Sequence, residues 1–248
     1  MSVPSGRLPD GGGISMRKPV LFLLILLLAL PVMALDPAPP MGMDILYNQS
    51  PTQQVGGMLN TTRGTINFVN LNATTQSFRW LGFIGNITGT LALMDANNNS
   101  IYQWGIDELR GEIYATRYSG TISWGAISCA DASNIEDEQD YLTINMSDAD
   151  SINKTFNITS HRSFYVGDTS ISGDSCPSTA LFQNNAYQTD YFQEILLHDS
   201  TYMVYAGLIN GSQTSYEGST ADFQMVMPAR GQEGPAQNVP YYFYVELR

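Results

Sequence analysis

Short apolar runs separated by polar turns recur along this chain and limit it to a narrow set of folds. Phe78 to Ile84 is aromatic and apolar and is closed by Gly85-Asn86, and Ile101 to Trp104 follows an Asn-rich turn. Further runs cover Thr65–Val69, Thr88–Met94, Glu112–Thr116, Thr121–Trp124, Thr155–Thr159, Ser163–Gly167, Tyr191–Leu197, Tyr202–Ile209 and Asp222–Met227. Such runs between Gly, Asn, Asp and Ser residues are typical of β-strands, so the pattern predicts about ten of them.

One segment departs from this rhythm and predicts a single short helix over 134–142. Ser133 and Glu136 have the spacing of a capping box, and Ile135 and Leu142 share a helical face. The strongly apolar end of the chain, 241–248, predicts a last strand that pairs within the sheet. Together these elements predict an all-β fold, an antiparallel β-sandwich or jelly roll with one short helix.

The N-terminal region has the features of an export signal. Arg17 and Lys18 precede an unbroken apolar run from Val20 to Leu30, and Val32 and Ala34 suit the small-residue positions before a signal peptidase cut. We therefore predict an N-terminal extension and signal peptide over 1–34 and a single secreted β-sandwich domain over 35–248, with no membrane insertion after cleavage. The alternative is an uncleaved signal anchor.

Nine Asn-x-Ser/Thr sequons follow the apolar run. By chance, 17 Asn with 41 Ser and Thr among 248 residues would give about three. The sequons begin at Asn48, Asn60, Asn72, Asn86, Asn98, Asn145, Asn153, Asn157 and Asn210. The excess predicts an extracellular or cell-surface protein with covalently attached N-glycans on turns and outward strand positions.

The charge balance excludes one class of partner. Residues 35–248 contain 8 basic and 22 acidic residues, a net charge of −14. Nucleic-acid binding requires clustered Lys and Arg, so the sequence predicts no nucleic-acid partner. The acidity is interpreted as keeping an exported, Asn-rich surface soluble, in preference to a cation-binding role.

Two cysteines, Cys129 and Cys176, predict one disulfide in an exported chain. The bridge would close a loop of 48 residues, worth about 4 kcal/mol by chain-entropy reasoning.

Two acidic segments raise the question of calcium. Asp95 to Asn99 resembles the opening of an EF-hand loop, but Ser100 and Ile106 replace the required Gly and Glu, which favours a hairpin turn. The densest acidic cluster comprises Asp131, Glu136, Asp137, Glu138 and Asp140, with Asp148 and Asp150 just beyond. We interpret it as a solvated helix face, predict no cofactor and no metal site, and keep calcium as the weaker alternative.

Catalytic chemistry has little support in the sequence. His161 and His198 are the only histidines, and His198-Asp199-Ser200 holds triad residue types at adjacent positions, where they point in different directions. We therefore predict no catalytic residues and a protein that is not an enzyme. Trp80, Trp104 and Trp124 could stack on sugar rings or fill a sandwich core.

The Pro-rich lead 36–40 is followed by an apolar segment, Asp44-Ile45-Leu46-Tyr47, which is a candidate donor strand for a neighbouring molecule. The favoured interpretation of this segment is a first strand that pairs within its own chain. Copies of this chain or other cell-surface proteins are the predicted partners.

The Thr- and Asn-rich strand pattern and the terminus Tyr242–Leu247, Tyr-Phe-Tyr-Val-Glu-Leu, resemble uncharacterised archaeal secreted or cell-surface β-rich glycoproteins. The resemblance implies export and carries no known activity. The sequence thus predicts a secreted, N-glycosylated, non-catalytic cell-surface protein, structural or filament-forming. The alternative is a carbohydrate-binding module, followed by an extracellular glycoside hydrolase.

Overall fold

Fourteen short strands dominate the described part of the chain, so the predicted all-β class is confirmed. The computed structural model describes residues 36–50, 56–58, 60–72, 74, 76–97, 99–106, 109–230 and 239–248. The strands are β1 Trp80–Gly85, β2 Leu91–Met94, β3 Ser100–Trp104, β4 Arg110–Thr116, β5 Ser128–Cys129, β6 Phe164–Val166, β7 Thr169–Ile171, β8 Ser178–Ala180, β9 Gln193–His198, β10 Met203–Asn210, β11 Gln213–Thr214, β12 Thr220–Ala221, β13 Phe223–Pro228 and β14 Tyr242–Leu247. The helices are α1 Ala132–Leu142 and the single turn α2 Ile152–Thr155, and a 3-10 turn spans Trp124–Ala126.

A six-stranded antiparallel sheet organises the fold. Its order is β14-β4-β10-β9-β5, and β8 also pairs with β9. Almost every residue of β4, β9 and β10 is buried, which requires cover on both faces of the sheet. The predicted C-terminal strand is present as β14, and it pairs with β4 at one end of the sheet.

Neighbouring residues of the central strands belong to two different apolar clusters, as strand alternation requires. Tyr114 faces a cluster that includes Trp124 and residues of the β6–β7 hairpin, whereas Ala115 faces one that includes Ile135 of α1 and Met225 of β13. The two-stranded sheet β1–β13 belongs to this second layer. The result is an antiparallel, sandwich-like arrangement of layers around the central sheet.

Two glycines allow backbone segments to approach closely. Gly111 has a φ of +136°, and a Cβ there would lie 1.9 Å from the carbonyl oxygen of Glu246 on the adjacent strand. At Gly207 a Cβ would lie 2.7 Å from Cγ of Met225, where β13 crosses the central sheet. A side chain at either position would force strands apart.

The helix α1 is present close to its predicted range, but its cap lies two residues earlier. The Asp131 carboxylate accepts a hydrogen bond from the Asn134 N–H, and the Asn134 side chain accepts one from the Asp131 N–H. Both bonds are 2.9 Å long. The predicted pair Ser133 and Glu136 is therefore wrong, because Asp and Asn form the same reciprocal cap.

Three predicted strands are wrong. Residues 65–69 are exposed and form no strand, and Thr121–Trp124 leads into the 3-10 turn. Thr155–Thr159 begins at the end of α2 and contributes only an isolated bridge between Ile158 and Ser178. Each segment alternates in sequence, yet none meets a continuous partner strand in the described structure.

No helix in the described ranges is long and apolar enough to span a bilayer. The predicted signal region lies outside the described residues.

Candidate functional site

A disulfide and a histidine fix one edge of the central sheet. Cys129 of β5 is bonded to Cys176, as predicted. Nε2 of the buried His161 accepts hydrogen bonds from the backbone N–H of Ser175 at 3.2 Å and of Cys176 at 3.0 Å. Its Nδ1 lies 2.9 Å from the carbonyl oxygen of Arg162 and therefore donates to it. His161 thus orders the loop that carries the disulfide.

The predicted triad residue types form a turn. The Asp199 carboxylate accepts hydrogen bonds from the N–H groups of Thr201, Tyr202 and Ser123, at 3.0, 2.7 and 3.2 Å. Ser200 adopts a left-handed backbone conformation with φ 76°. Asp199 therefore orders the β9–β10 turn.

The acidic cluster is divided between three structural roles. Asp131 caps α1, Glu138 is buried against Arg117, and Asp148 and Asp150 form ion pairs with Arg79. Glu136, Asp137 and Asp140 are exposed on the helix. Among the described residues no group of three or more His, Cys, Asp or Glu is arranged to hold a metal ion.

The Asp95 loop is a hairpin turn. Its carboxylate accepts hydrogen bonds from the backbone N–H groups of Asn97 and Asn99, each at 2.8 Å, and from the Asn99 side chain at 2.9 Å. These bonds, led by the Asn99 side chain, lower the pKa of Asp95. The carboxylate therefore closes the turn between β2 and β3.

A pair of carboxylates that sequence analysis did not predict lies across β4 and β14. Glu112 and Glu246 are directly opposite in register, and both are buried. Burial is the main cause that raises the pKa of Glu112 to about 7, and it also raises that of Glu246. Glu246 Oε2 accepts bonds from the Tyr114 hydroxyl at 3.2 Å and the Gly167 N–H at 3.1 Å. Arg248 pairs with Glu246, and its Nε lies 3.6 Å from Glu112 Oε2.

Two further acids are buried on the opposite face of the central sheet. Glu138 accepts a hydrogen bond from Arg117 Nε at 2.7 Å and another from the Tyr205 hydroxyl at 3.3 Å. Glu194 accepts one from the Val226 N–H at 2.7 Å, and complete burial raises its pKa well above the usual range. Both acids accept hydrogen bonds from residues that pack against them, so both have a structural role.

A groove lies beside β10, and two of its charged side chains form hydrogen bonds with backbone groups. It encloses about 740 Å³ and is lined in part by Arg162, Asn210 and Asp222. Arg162 donates to the Ile209 carbonyl oxygen at 2.7 Å, and Asp222 accepts from the N–H groups of Ile87 and Ser212 at 2.9 and 2.7 Å. Asn210 belongs to a sequon, so a glycan there would lie at the groove.

A different kind of candidate site lies before residue 79. We call residues 39–78 the arm; its described residues form no strand or helix. Eleven large apolar side chains of the arm are more than half exposed. They are Met41, Met43, Ile45, Leu46, Tyr47, Met58, Ile66, Phe68, Val69, Leu71 and Phe78. Long segments without a strand or helix are uncommon in folded domains and are usually functional or linkers.

The two ends of the arm are fastened to the rest of the chain. Ala38 forms a bridge with Val245 of β14, with N–O distances of 3.2 and 2.8 Å. At the other end Arg79 pairs with Asp148 and Asp150, and Trp80 Nε1 donates to the Asp150 carbonyl oxygen at 2.8 Å. Between these points the Tyr47 hydroxyl donates to Glu217 at 3.2 Å.

The predicted donor segment Asp44–Tyr47 lies in the arm and forms no strand with its own chain in the described structure. Ile45 and Leu46 are 84% and 87% exposed. The favoured interpretation, a first strand paired within the chain, is therefore wrong for this segment.

The hairpin β2–β3, which we call the ribbon, carries a second exposed apolar surface. Leu91 is opposite Trp104, and Leu93 is opposite Tyr102, so these four side chains share one face. They are 58%, 44%, 55% and 60% exposed, respectively. The rings of Tyr102 and Trp104 meet edge to face at 4.9 Å. We call these four residues the ribbon face.

The sequons are accessible in the described structure. Asn48, Asn60, Asn72, Asn86, Asn145 and Asn157 are exposed, and Asn153 and Asn210 are partly exposed. Asn98 lies outside the described residues. Asn153 is the most restricted, because it lies in α2 and its Oδ1 is buried.

Comparison with known proteins identifies no relative. No protein-family model, no curated protein and no solved structure matches the chain.

Proposed function

We propose that this is a secreted, N-glycosylated cell-surface protein that has a structural, non-catalytic role and assembles with copies of itself. The observation that carries the proposal is the unpaired apolar arm. Burying one fully exposed Ile or Leu side chain is worth about 1.5–3 kcal/mol, and the arm leaves several such side chains in water. Exposed apolar surface of this extent marks an interaction site in a soluble protein.

Three further observations support export and surface display. The apolar run 20–30 follows two basic residues, the nine sequons lie beyond it, and the one cysteine pair is oxidised. The non-catalytic role is supported by the buried acids, each of which has a structural partner. Glu112 and Glu246 are opposite each other on adjacent strands, and both carboxylates are buried.

The arm itself suits a contact between copies, because it carries little charge. The arm contains one acidic and one basic residue, Asp44 and Arg63, whereas residues 109–248 contain 17 acidic and 6 basic ones. Two copies that meet through their acidic parts would repel each other, and a contact through the arm reduces this repulsion.

The test is the state of assembly of the secreted, glycosylated protein. We expect oligomers or filaments by light scattering and negative-stain microscopy, and a monomer when Ile45→Asp and Leu46→Asp are introduced together. Thr61→Asp, which adds charge to an exposed arm position outside the apolar segment, is the control. It keeps the sequon of Asn60, because Thr62 is unchanged. A wild-type protein that remains monomeric at every concentration would contradict the proposal. N-terminal sequencing at Leu35 tests the predicted cleavage.

A carbohydrate-binding module is the second candidate, and the exposed rings of Tyr102 and Trp104 favour it. Aromatic rings bind sugars by stacking, and Trp104→Ala should then abolish retention on a polysaccharide gel. The edge-to-face arrangement at an interplanar angle of 64° does not form the flat platform that stacking on consecutive sugars uses. Assembly is therefore the favoured proposal.

A further inference from the structure

The ribbon is an incomplete sheet, and this raises the question of what completes it. In the described residues β2 and β3 pair only with each other. Every residue of β3 is exposed. A two-stranded hairpin is marginally stable in water, and a third strand or a packed face is needed to hold it. The ribbon therefore has both an open edge and an uncovered apolar face.

We propose that the ribbon is the acceptor for the Asp44–Tyr47 segment of a second copy of this chain, which adds to the ribbon as a third strand. This inference rests on the proposed self-assembly and identifies the two surfaces that meet. Strand addition supplies backbone hydrogen bonds for affinity, and alternate side chains contact the exposed face for specificity.

The complementarity of the two surfaces supports this assignment. Ile45 and Tyr47 are two residues apart, so in a strand they project from the same side and can extend the row formed by Leu93 and Tyr102. Leu46 would project from the other side. Aromatic and aliphatic side chains that are neighbours across strands contribute about 0.2–1 kcal/mol per pair, so a short segment suffices for a weak, repeatable contact.

The occupant is a second copy because the same chain exposes both surfaces and joins neither to the other. Ile45 and Leu46 are 84% and 87% exposed, and the residues of the ribbon face are 44–60% exposed. The Ala38 bridge to Val245 anchors the segment six residues before Asp44, which gives it a reach of about 20 Å from the surface of its own molecule.

Charge also favours another copy over an unrelated basic or acidic partner. The ribbon strands Leu91–Met94 and Ser100–Trp104 contain no charged residue, and the donor segment contains only Asp44. Recognition of a strongly charged partner would require complementary charge at these positions. The contact joins different surfaces of the two copies, so it continues from copy to copy and forms an open chain.

The experiment uses two variants of the secreted, glycosylated protein. The donor variant carries Ile45→Asp and Leu46→Asp, and the acceptor variant carries Leu93→Asp and Tyr102→Asp. We expect each variant alone to be monomeric and an equimolar mixture to form dimers that grow no further. The mixture retains one intact acceptor and one intact donor surface, which is enough for one contact. Sedimentation velocity distinguishes monomers, dimers and longer assemblies.

A matched pair of single substitutions tests the face of the ribbon. Tyr102→Asp and Gln103→Asp add the same charge at adjacent exposed positions that point to opposite faces. Tyr102→Asp should raise the concentration needed for assembly about tenfold or more, and Gln103→Asp should change it little. Both variants should keep the thermal unfolding temperature of the wild type, which separates loss of contact from loss of fold.

A cross-link locates the contact directly. Copies with Ile45→Cys mixed with copies with Leu93→Cys, two positions that the proposal places on the same face, should form a disulfide-linked dimer under mild oxidation, and neither population alone should do so. If the acceptor variant assembles like the wild type, the ribbon is not the acceptor and self-assembly still stands. If the wild type is monomeric, both proposals fail. An Ile45→Cys and Leu93→Cys double variant that closes a bridge within one monomer would overturn the second-copy occupant.

Discussion

Apart from β1, which packs on the core, the described part of the chain before residue 107 leaves most of its apolar side chains exposed, whereas the part after it buries most of its own. Exposed Ile, Leu and Val side chains occur between Ile45 and Ile101, and in the described residues 109–248 the exposed large apolar residues are Tyr, Met and Phe. The later part, which we call the body, buries its aliphatic residues on both faces of one sheet. The body buries most of its apolar side chains, whereas the arm and the ribbon leave theirs exposed. This difference indicates that folding and assembly depend on different parts of the chain.

The largest effect should come from the buried ion pair of the body. Arg117→Ala leaves Glu138 buried without its guanidinium partner, and we expect a loss of about 3–5 kcal/mol in the free energy of unfolding. Chemical denaturation measures it. Replacing both residues, Arg117→Met with Glu138→Leu, should recover most of the loss because no buried charge remains. A single variant as stable as the wild type would show that water reaches Glu138.

A matched pair of leucines compares the two parts directly. Leu196→Ala removes a fully buried side chain of β9 and should cost about 2–5 kcal/mol in the free energy of unfolding. Leu93→Ala in the ribbon should cost less than about 0.5 kcal/mol in the monomer, because its side chain is already 55% exposed. Equal losses in urea titrations would mean that the ribbon belongs to the cooperative unit of the body.

The third effect depends on pH and belongs to the body. Glu112 has a pKa of about 7 in the folded protein, against 4.5 for an ordinary glutamate, so the folded form holds the proton more tightly. The resulting stability is fully present below pH 4.5 and is lost as the pH rises through 7. We expect the free energy of unfolding to fall by about 2–3 kcal/mol between pH 5 and pH 8 from this group.

Glu112→Gln should remove most of this slope and raise stability at pH 8, since it keeps the shape of the side chain without the charge. Glu136→Gln, at an exposed position on α1, is the control and should leave the slope unchanged. The burial of Glu194 and Glu246 raises their pKa values too, so a smaller slope of the same sign should persist. Stability that increases from pH 5 to pH 8 in the wild type would contradict the assignment.

The strand predictions succeed where the predicted segment meets a partner strand. Most predicted strands of the body are found close to their predicted ranges, because alternation is a local signal and these strands meet a partner; Thr121–Trp124 and Thr155–Thr159 are the exceptions. The run 65–69 alternates equally well and forms no strand, because alternation records the tendency to pair and not the presence of a partner. Sequence analysis missed the pairing of Glu112 with Glu246, because that pairing depends on a register between distant strands.

Of the two surfaces in the proposed contact, the sequence predicted the donor segment and not the ribbon face. The segment Asp44–Tyr47 stands out in the sequence as an apolar run behind prolines. The ribbon face did not, because whether Leu91, Leu93, Tyr102 and Trp104 lie in a core or in water is decided by layers that other residues build. A sequence pattern assigns side chains to a face, and the packing of the rest of the chain determines whether that face is covered.

A smaller effect concerns the fastening of the arm to the body. Arg79→Ala removes the ion pairs with Asp148 and Asp150, which are partly exposed, and should cost less than about 1 kcal/mol in the free energy of unfolding. Its larger consequence should be local, since cleavage of the arm near Phe78 by chymotrypsin should become faster. Arg63→Ala, at an exposed arm position, should not change the rate of cleavage. Unchanged proteolysis of the Arg79 variant would show that the Trp80 contact alone holds this end.

The smallest effect is a difference in glycan occupancy between two neighbouring sequons. Asn157 is exposed, whereas Asn153, four residues earlier, lies in the single turn α2 with its Oδ1 buried and its backbone N–H donating to Gln139 at 3.3 Å. A glycan on Asn153 must leave through a side chain that the turn holds against the body, so we expect lower occupancy there than at Asn157. Glycopeptide mass spectrometry measures both sites. Asn153→Gln should then leave the mass of the secreted protein almost unchanged, while Asn157→Gln should remove one glycan. Full occupancy at Asn153 would mean that glycosylation precedes formation of this turn, and the accessibility of the folded body would then not govern which sequons are used.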